Sequence, residues 1–541
     1  MSLLSHQPRP GLSFAKGSRR NSWSAAAATV LAGLAAQYFL VPGSGIRSAG
    51  LSTSPGTPPS AIERCLVDVC AGAPDCVQFP SKQDGAAAYS GSSWMHPFNL
   101  GLSSVPTAIV RPRDAGEVAG AVKCALKHDF KVQAKAGSHS YANHGLGGQN
   151  GAISVDMEHF QYAHVDDSPG SSYNVRVGGG TRLGRIDESL RAHRRAMPHG
   201  MCAGVGIGGH ATLGGIGPAS RMWGMTLDGV EEMEVVTANG TIVRASTKEN
   251  PDLFFAMRGA GPGFGIVTEF VMRTHPAPPA VLHFTRDFAY GHPKEVVDAF
   301  YDWQAVVADP GLDRRLGTEI LLTPRGARVT STWYGNETDL RQTGILDRLS
   351  AGGGGSGGSV TLRRETWEGS LALLAAEEST HRPEKPGRLL SRSRGLGRRD
   401  LLSRAHVAAL FDTLERLRHA ASGPWAVKFQ AVGGAVSTGA AAAVSTTAYA
   451  HRDDVVLYHS FAADASDKGV RDLLDGFHRA LLNMAPGAEG TYPGFADPEL
   501  RDPRRSYWGP NLAALEEIKG RWDPEDVFHN PQSVVPPSPR A

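Results

Sequence analysis

From His199 to Gly217 the chain reads His-Gly-Met-Cys-Ala-Gly-Val-Gly-Ile-Gly-Gly-His-Ala-Thr-Leu-Gly-Gly-Ile-Gly, with seven glycines after Cys202. Ordinary helix and strand interiors do not tolerate that density, because each glycine costs backbone entropy there. Such a run belongs where backbone closely approaches other backbone or a ligand. A second segment of the same character, Ala134–Gly145, follows a strand expected at Phe130–Gln133 and gathers small residues around His139. A loop of that composition can turn its N–H groups toward a pyrophosphate. Taken alone, a histidine in a glycine-rich turn is ordinarily a turn residue, and a lone cysteine is ordinarily an inert buried thiol.

The rest of the chain sets the context. At 541 residues and 41% hydrophobic composition, it implies two globular domains behind a leader. The 65 glycines exceed the usual share of roughly 7% and fall in clusters rather than in one linker. A formal charge of +2 excludes a nucleic-acid footprint, and the expected ligand is a small neutral or weakly charged molecule. No metal site is expected. Residues 1–45 read as a targeting segment, because Lys16, Arg19 and Arg20 precede an uncharged stretch from Ser24 to Val41. A cleaved signal peptide and an uncleaved membrane anchor both fit, and both leave the body lumenal or secreted; the third alternative is that the segment is neither. Residues 46–61 form a Ser/Pro/Gly-rich linker. Five cysteines, Cys65, Cys70, Cys76, Cys124 and Cys202, leave one over for chemistry in an oxidising compartment. The sequons at Asn239 and Asn336 fit a secreted surface but add little alone.

Periodicity predicts strand, helix, strand over Ala108–Val155, with the helix at Ala115–His128. Strands are expected at Ser171–Val177 and within Val230–Val243, and a helix at Thr181–His193. From about residue 276 to 500, strands at Ala426–Ala431, Thr446–His451 and Asp454–Phe461 alternate with helices at Pro293–Val307, Arg404–His419 and Lys468–Asn483. This gives an α+β chain whose second region is a sheet covered by helices. Gly352–Gly358 reads as a flexible loop, and the arginine-rich Arg388–Arg404 as a solvated loop or a lid.

Four blocks in order carry a resemblance. Gly137-Ser-His-Ser-Tyr141 is similar to the Gly-Gly-His-Ser-Tyr of the vanillyl-alcohol-oxidase superfamily, in its berberine-bridge-enzyme-like branch with the fungal oligosaccharide oxidases. Gly200–His210 resembles that family's Gly-x-Cys-x-x-Val-Gly-x-Gly-Gly-His. Asp252–Phe270 matches its cofactor-domain signature, and Tyr507–Asn511 with Ile518–Phe528 its terminal module. The resemblance implies a two-domain FAD-binding fold of the vanillyl-alcohol-oxidase (PCMH) type, with a substrate domain made of an antiparallel sheet covered by helices. It implies an FAD-binding domain over 62–275, a substrate domain over 276–500 and a C-terminal module over 501–541 packing on the first. FAD would be bicovalent, through His139 to the 8α-methyl and Cys202 to C6, which in the family raises the reduction potential. Further cofactor-binding residues would be Gly137, Ser138, Ser140, Gly145, Val205, Gly208, Gly209, His210, Gly214, Gly215, Gly265, Ile266, Val267 and Asn511. Val205 stands where oxygen-reactive relatives carry a small gatekeeper. Cys65–Cys124 would be one disulfide, leaving Cys70–Cys76 as the second.

The resemblance breaks on the substrate side. Where the oligosaccharide oxidases carry an Asp and a general-base Tyr, this chain has Gln430 and Phe495. Phenylalanine takes no proton, so Tyr141 and Tyr492 become the candidate catalytic groups. The leading expectation is an oxidase of a specialised metabolite, with a small-molecule substrate and O2 as partners and H2O2 as product. An oligosaccharide oxidase and a non-catalytic secreted flavoprotein are the alternatives.

Overall fold

The computed structural model describes residues 60–80, 94–350, 362–381, 385–438 and 446–538. The leader, most of the linker and Gly352–Gly358 lie outside the described residues.

The first half builds two sheets. Ala108–Val110, Ile153–Asp156 and Val132–Lys135 pair in parallel, and Val77–Gln78 adds an antiparallel edge. The crossover helix Ala115–Lys127 lies where its pattern predicts it, capped by the Asp114 carboxylate, which accepts from Glu117 N. Val118, Ala121, Val122 and Ala125 bury one face of that helix. The Cys65–Cys124 disulfide ties it to the helix Ala61–Val69, and Cys70–Cys76 closes the adjoining turn. The second sheet is antiparallel, in the order Ala163–Val165, Val175–Gly178, Ile266–Met272, Val230–Val236, Ile242–Ser246. Of the strand expected at Ser171–Val177, only the stretch from Val175 onward is paired.

The second half is a seven-stranded antiparallel sheet, ordered Arg363–Glu365, Val281–Phe288, Gly326–Tyr334, Leu316–Thr323, Trp425–Ala431, Asp454–Ala462, Leu390–Gly397. Helices Pro293–Ala308, Arg404–Arg418 and Lys468–Met484 cover one face. Their buried residues recur at helical spacing, as in Val407, Leu410, Phe411 and Leu414. The strands answer with period two: Ile320, Leu322, Val427, Phe429, Val456 and Tyr458 enter this core, and the residues between them face the other way. The chain is thus α+β, with a helix-covered antiparallel sheet as the sequence implies.

Two expectations are corrected. Thr446–His451 is irregular rather than a strand, because its backbone is satisfied by residues of the first half of the chain and by Asn511 rather than by a neighbouring strand. Ala448 N donates to Phe255 O and Arg258 O, the Arg258 guanidinium donates to Thr446 O, and Asn511 Nδ2 donates to Thr447 O and Ala448 O. Within Arg388–Arg404, expected as a solvated loop or a lid, Leu390–Gly397 is instead a buried edge strand, and exposed arginines follow from Arg398 onward. The strand tolerates burial because the Arg392 guanidinium bonds Asp475, Asp497 and Glu499, and Arg394 donates to Glu489 O.

Removing one partner from a buried ion cluster strands the others. Arg392→Ala should therefore lower the unfolding free energy by about 3–5 kcal/mol in urea titration, whereas Arg404→Ala, at an exposed pair, should cost less than about 1 kcal/mol.

Candidate functional site

The strand Val132–Lys135 delivers the His139 loop. Lys135 and Arg111 share the buried Asp156 carboxylate at 2.9 and 2.8 Å, which fixes the strand's end. The loop then turns through Ser138, whose φ of 54° lies in the left-handed region that glycine prefers. Ser140 Oγ accepts from the N–H groups of Ala142 and His144, and Gly145 O accepts from Ser154 Oγ at 2.7 Å. The His139 ring lies 4.6 Å from that of Phe98.

The Cys202 loop meets this one backbone to backbone. A Cβ on Gly137 would stand 2.1 Å from Gly206 N, and one on Gly206 would stand 2.2 Å from Gly137 N. A Cβ on Gly204 would lie 2.9 Å from His139 Nε2. No other residue type fits that crossing. Val205 N donates to Cys202 O, closing the turn, and Gly206 leads into the short helix Ile207–Leu213. His210 Nε2 accepts from Gly200 N at 3.0 Å, and burial, with His199 nearby, pushes the His210 imidazole down to about 3. Burial alone would lower His199 too, but the Asp187 carboxylate holds it above its ordinary value.

Both loops open on one cavity of about 290 Å³, which His139 and Cys202 line together. Gly137, Ser138, Ser140, Tyr141, Gly145, Val205, Gly209, His210 and Tyr492 line it as well. The other residues expected to touch the cofactor stand behind this lining. Gly208 packs on Gly179 O, Gly214 on Met225 and Tyr492, Gly215 on Thr226, and Gly265 on Val235. Ile266 and Val267 belong to a sheet strand, and Asn511 bonds the carbonyls of Thr447 and Ala448.

The opposite wall comes from the uncovered face of the seven-stranded sheet. Glu319, Arg328, Thr330, Lys428 and Gln430 face the cavity, with Glu377, Glu378 and His381 added from the helix Trp367–Ser379 and the turn after it. Lys428 Nζ lies 2.7 Å from Glu378 and 3.2 Å from Glu319. Burial pushes the Glu377 carboxyl up. Of this wall, sequence reasoning singled out Gln430 but missed Glu319, Arg328, Thr330, Lys428 and the acidic pair Glu377 and Glu378; part of the signal is the alternation in Val-Lys-Phe-Gln-Ala, where Lys428 and Gln430 interrupt an apolar strand. It also missed the terminal contribution of Asn530, Gln532 and Ser533.

A family model described as "FAD binding domain" matches residues 106–246, and one described as "Berberine and berberine like" matches 491–535. The FAD-linked oxidoreductase sorD of Penicillium rubens is 35% identical over 487 residues, covering 88% of this chain and 99% of the relative. The chitooligosaccharide oxidase of Gibberella zeae is 30% identical, covering 84% and 90%. This chain is an FAD-linked oxidoreductase of the berberine-bridge-enzyme-like family. Among solved structures, glucooligosaccharide oxidase from Acremonium strictum, whose FAD is described as 6-S-cysteinyl and 8α-N1-histidyl, aligns with a TM-score of 0.76 at 28% identity, covering 89% of this oxidoreductase and all of the relative.

The residues present fit that cofactor. A nucleophilic nitrogen and a nucleophilic sulfur border one cavity, and the loops bearing them carry glycine where a side chain would intrude. On the substrate side, the oxidoreductase holds Tyr492 through its hydroxyl oxygen, which accepts from Gly215 N at 2.9 Å. The Tyr141 ring meets His459 edge-on at 5.9 Å, and His459 stacks on Phe495 at 3.8 Å. Gln430 and Phe495 both face the cavity.

Because the loop crossing has no room for a methyl group, Gly206→Ala should lose flavin absorbance on purification and at least about 3 kcal/mol of stability, the upper range for overpacking. Gly229→Ala, whose Cβ would meet only Arg273 O at 3.6 Å, should leave both unchanged.

Proposed function

We propose that this oxidoreductase is an oxidase of a specialised metabolite, removing hydride from a carbon that bears a hydroxyl group or from another activated C–H. FAD would be held through both His139 and Cys202. When bound, it supplies the hydride acceptor and the route of electrons to O2, giving H2O2. The carrying observation is that His139 and Cys202 line a cavity whose substrate side presents Phe495 and Gln430, groups that take up no proton. Division of the chain at about residues 276 and 501, and export behind the leader at 1–45, belong to the same reading. The paired disulfides support the export.

Within this cavity we assign Tyr141 as the group that accepts the substrate's hydroxyl proton or orients the hydroxyl. It is buried, two residues from His139, and packed by Phe98 and His459 so that its ring direction is fixed. Tyr492 is the alternative, with its hydroxyl already engaged by Gly215 N. An oligosaccharide substrate remains the second reading, favoured by relatives named as chitooligosaccharide and glucooligosaccharide oxidases at 30% and 31% identity.

Protein recovered from culture medium, its first residue beyond about position 45, should keep its flavin through denaturation. The double variant His139→Ala/Cys202→Ala should release it. Flavin retained by that double variant would show that other residues carry the bonds.

Peroxide release should be negligible with glucose and with cello-, xylo- and chito-oligosaccharides, and should appear with a member of a lipophilic alcohol panel. On that alcohol, Tyr141→Phe should slow flavin reduction by roughly 10² to 10⁴ with little change in binding. Robust turnover of a sugar would overturn the metabolite reading. An unchanged rate in Tyr141→Phe with a slowed Tyr492→Phe would transfer the role to Tyr492.

A further inference from the structure

The helix Leu183–Ala192 touches the Cys202 loop on both sides of the cysteine. After it, Leu183 N donates to Val205 O and Gly184 N to Ala203 O, each at 3.0 Å. Before it, Asp187 Oδ1 lies 2.8 Å from His199 Nε2, and His199 Nδ1 lies 2.8 Å from Gly200 O. A carboxylate and a carbonyl only accept, so both ring nitrogens donate and the imidazole carries two protons. Gly200 N in turn donates to His210 Nε2 at 3.0 Å. Gly200 is therefore gripped at its N–H and its C=O, two residues before Cys202. His199 is only 6% exposed, so the bond from its ring to Gly200 O is shielded from water, while the Asp187 carboxylate is half-buried.

We propose that Asp187 and His199 are positioning residues for the attachment of FAD to Cys202. They hold Gly200 while the helix's first N–H groups hold Ala203 and Val205, so that the thiol is presented at a fixed place on the cavity wall. The inference rests on the reading that FAD is held through both His139 and Cys202. In the step they assist, Cys202 exchanges its S–H bond for a bond to ring carbon C6. The thiol proton and the hydrogen of that carbon leave as two protons, and the electron pair passes to O2, which becomes H2O2.

The test reads covalent linkage rather than turnover. Flavoprotein purified in air is digested, and the flavin-bearing His139 and Cys202 peptides are quantified by mass over time. Wild type should carry both links. Asp187→Ala and His199→Phe should keep the His139 link and a melting midpoint within a few degrees of wild type, while the Cys202 link forms roughly 10²-fold more slowly, the cost of about 1 Å of misplacement. Asp187→Asn should largely retain the Cys202 link, because an amide donating to Nε2 leaves Nδ1–H on Gly200 O. Glu188→Ala, exposed on the same helix, should behave as wild type. If His199→Phe does not fold, Asp187→Ala carries the test. A Cys202 link forming at the wild-type rate in Asp187→Ala would overturn the proposal, and so would parallel loss of both links with stability. A wild-type protein lacking the Cys202 link would overturn the bicovalent reading and this proposal with it.

Discussion

The contact on which the site depends is the crossing of Gly137 and Gly206, where two loops pass with no side chain between them. One loop leaves a parallel sheet and the other enters a short helix, so neither could present its nucleophile to a common cavity unless the backbones met. The geometry at Ser138 follows from it. Holding a non-glycine residue at a φ of 54° costs of order 1–2 kcal/mol, and it persists because the crossing and the Ser140 turn over-determine the path. Strain of this kind marks a place where the chain's course is set by what it must present.

The seven-stranded sheet solves a different problem, since one face is packed by helices while the other sets polar cavity-wall residues beside apolar ones such as Leu321, Ala426 and Phe461. Toward the helices, the alternate residues Val427 and Phe429 join a continuous core. Toward the cavity, Lys428 and Gln430 occupy the same strand, and Lys428 is affordable there because Glu378 and Glu319 lie within 2.7 and 3.2 Å. A buried ion pair is weak evidence of stability. The wall is better understood as a fixed array of donors and acceptors facing the apolar rings of Phe98, Tyr141 and Phe495 near the two glycine-rich loops.

Much of this was legible in the sequence because its causes are local. The helices Ala115–Lys127, Pro293–Ala308, Arg404–Arg418 and Lys468–Met484 follow from hydrophobic spacing and a capping residue or N-terminal proline, and they lie within a residue or so of expectation. His139 and Cys202 stood out by the small residues around them, and the cavity unites them. What failed depended on partners distant in sequence. Arg392 looks solvated until Asp475, Asp497 and Glu499 are brought to it, more than eighty residues later. Thr446–His451 looks like a strand until Phe255, Arg258 and Asn511 take up its backbone. The glycines Gly208, Gly214, Gly215 and Gly265 have a second cause that the motif alone does not disclose, since a side chain at each would strike neighbouring protein atoms.

The end of the chain determines when the site becomes complete. Tyr492, Phe495, Asn530, Gln532 and Ser533 all line the cavity, yet they lie more than two hundred residues beyond the loops that bear His139 and Cys202. Their docking is anchored by Lys519, fully buried, whose ammonium donates to Gly263 O, Phe528 O and Asp523. Gly263 itself lines the cavity, so the same ammonium holds the cofactor side and the terminal segment in one register. Of these partners only Gly263 O lies outside the terminal segment, so the bond to it is the one that docking adds, while Asp523 compensates the buried charge from within the same helix and turn. The cavity therefore acquires its full lining only after the last segment of the chain has folded back.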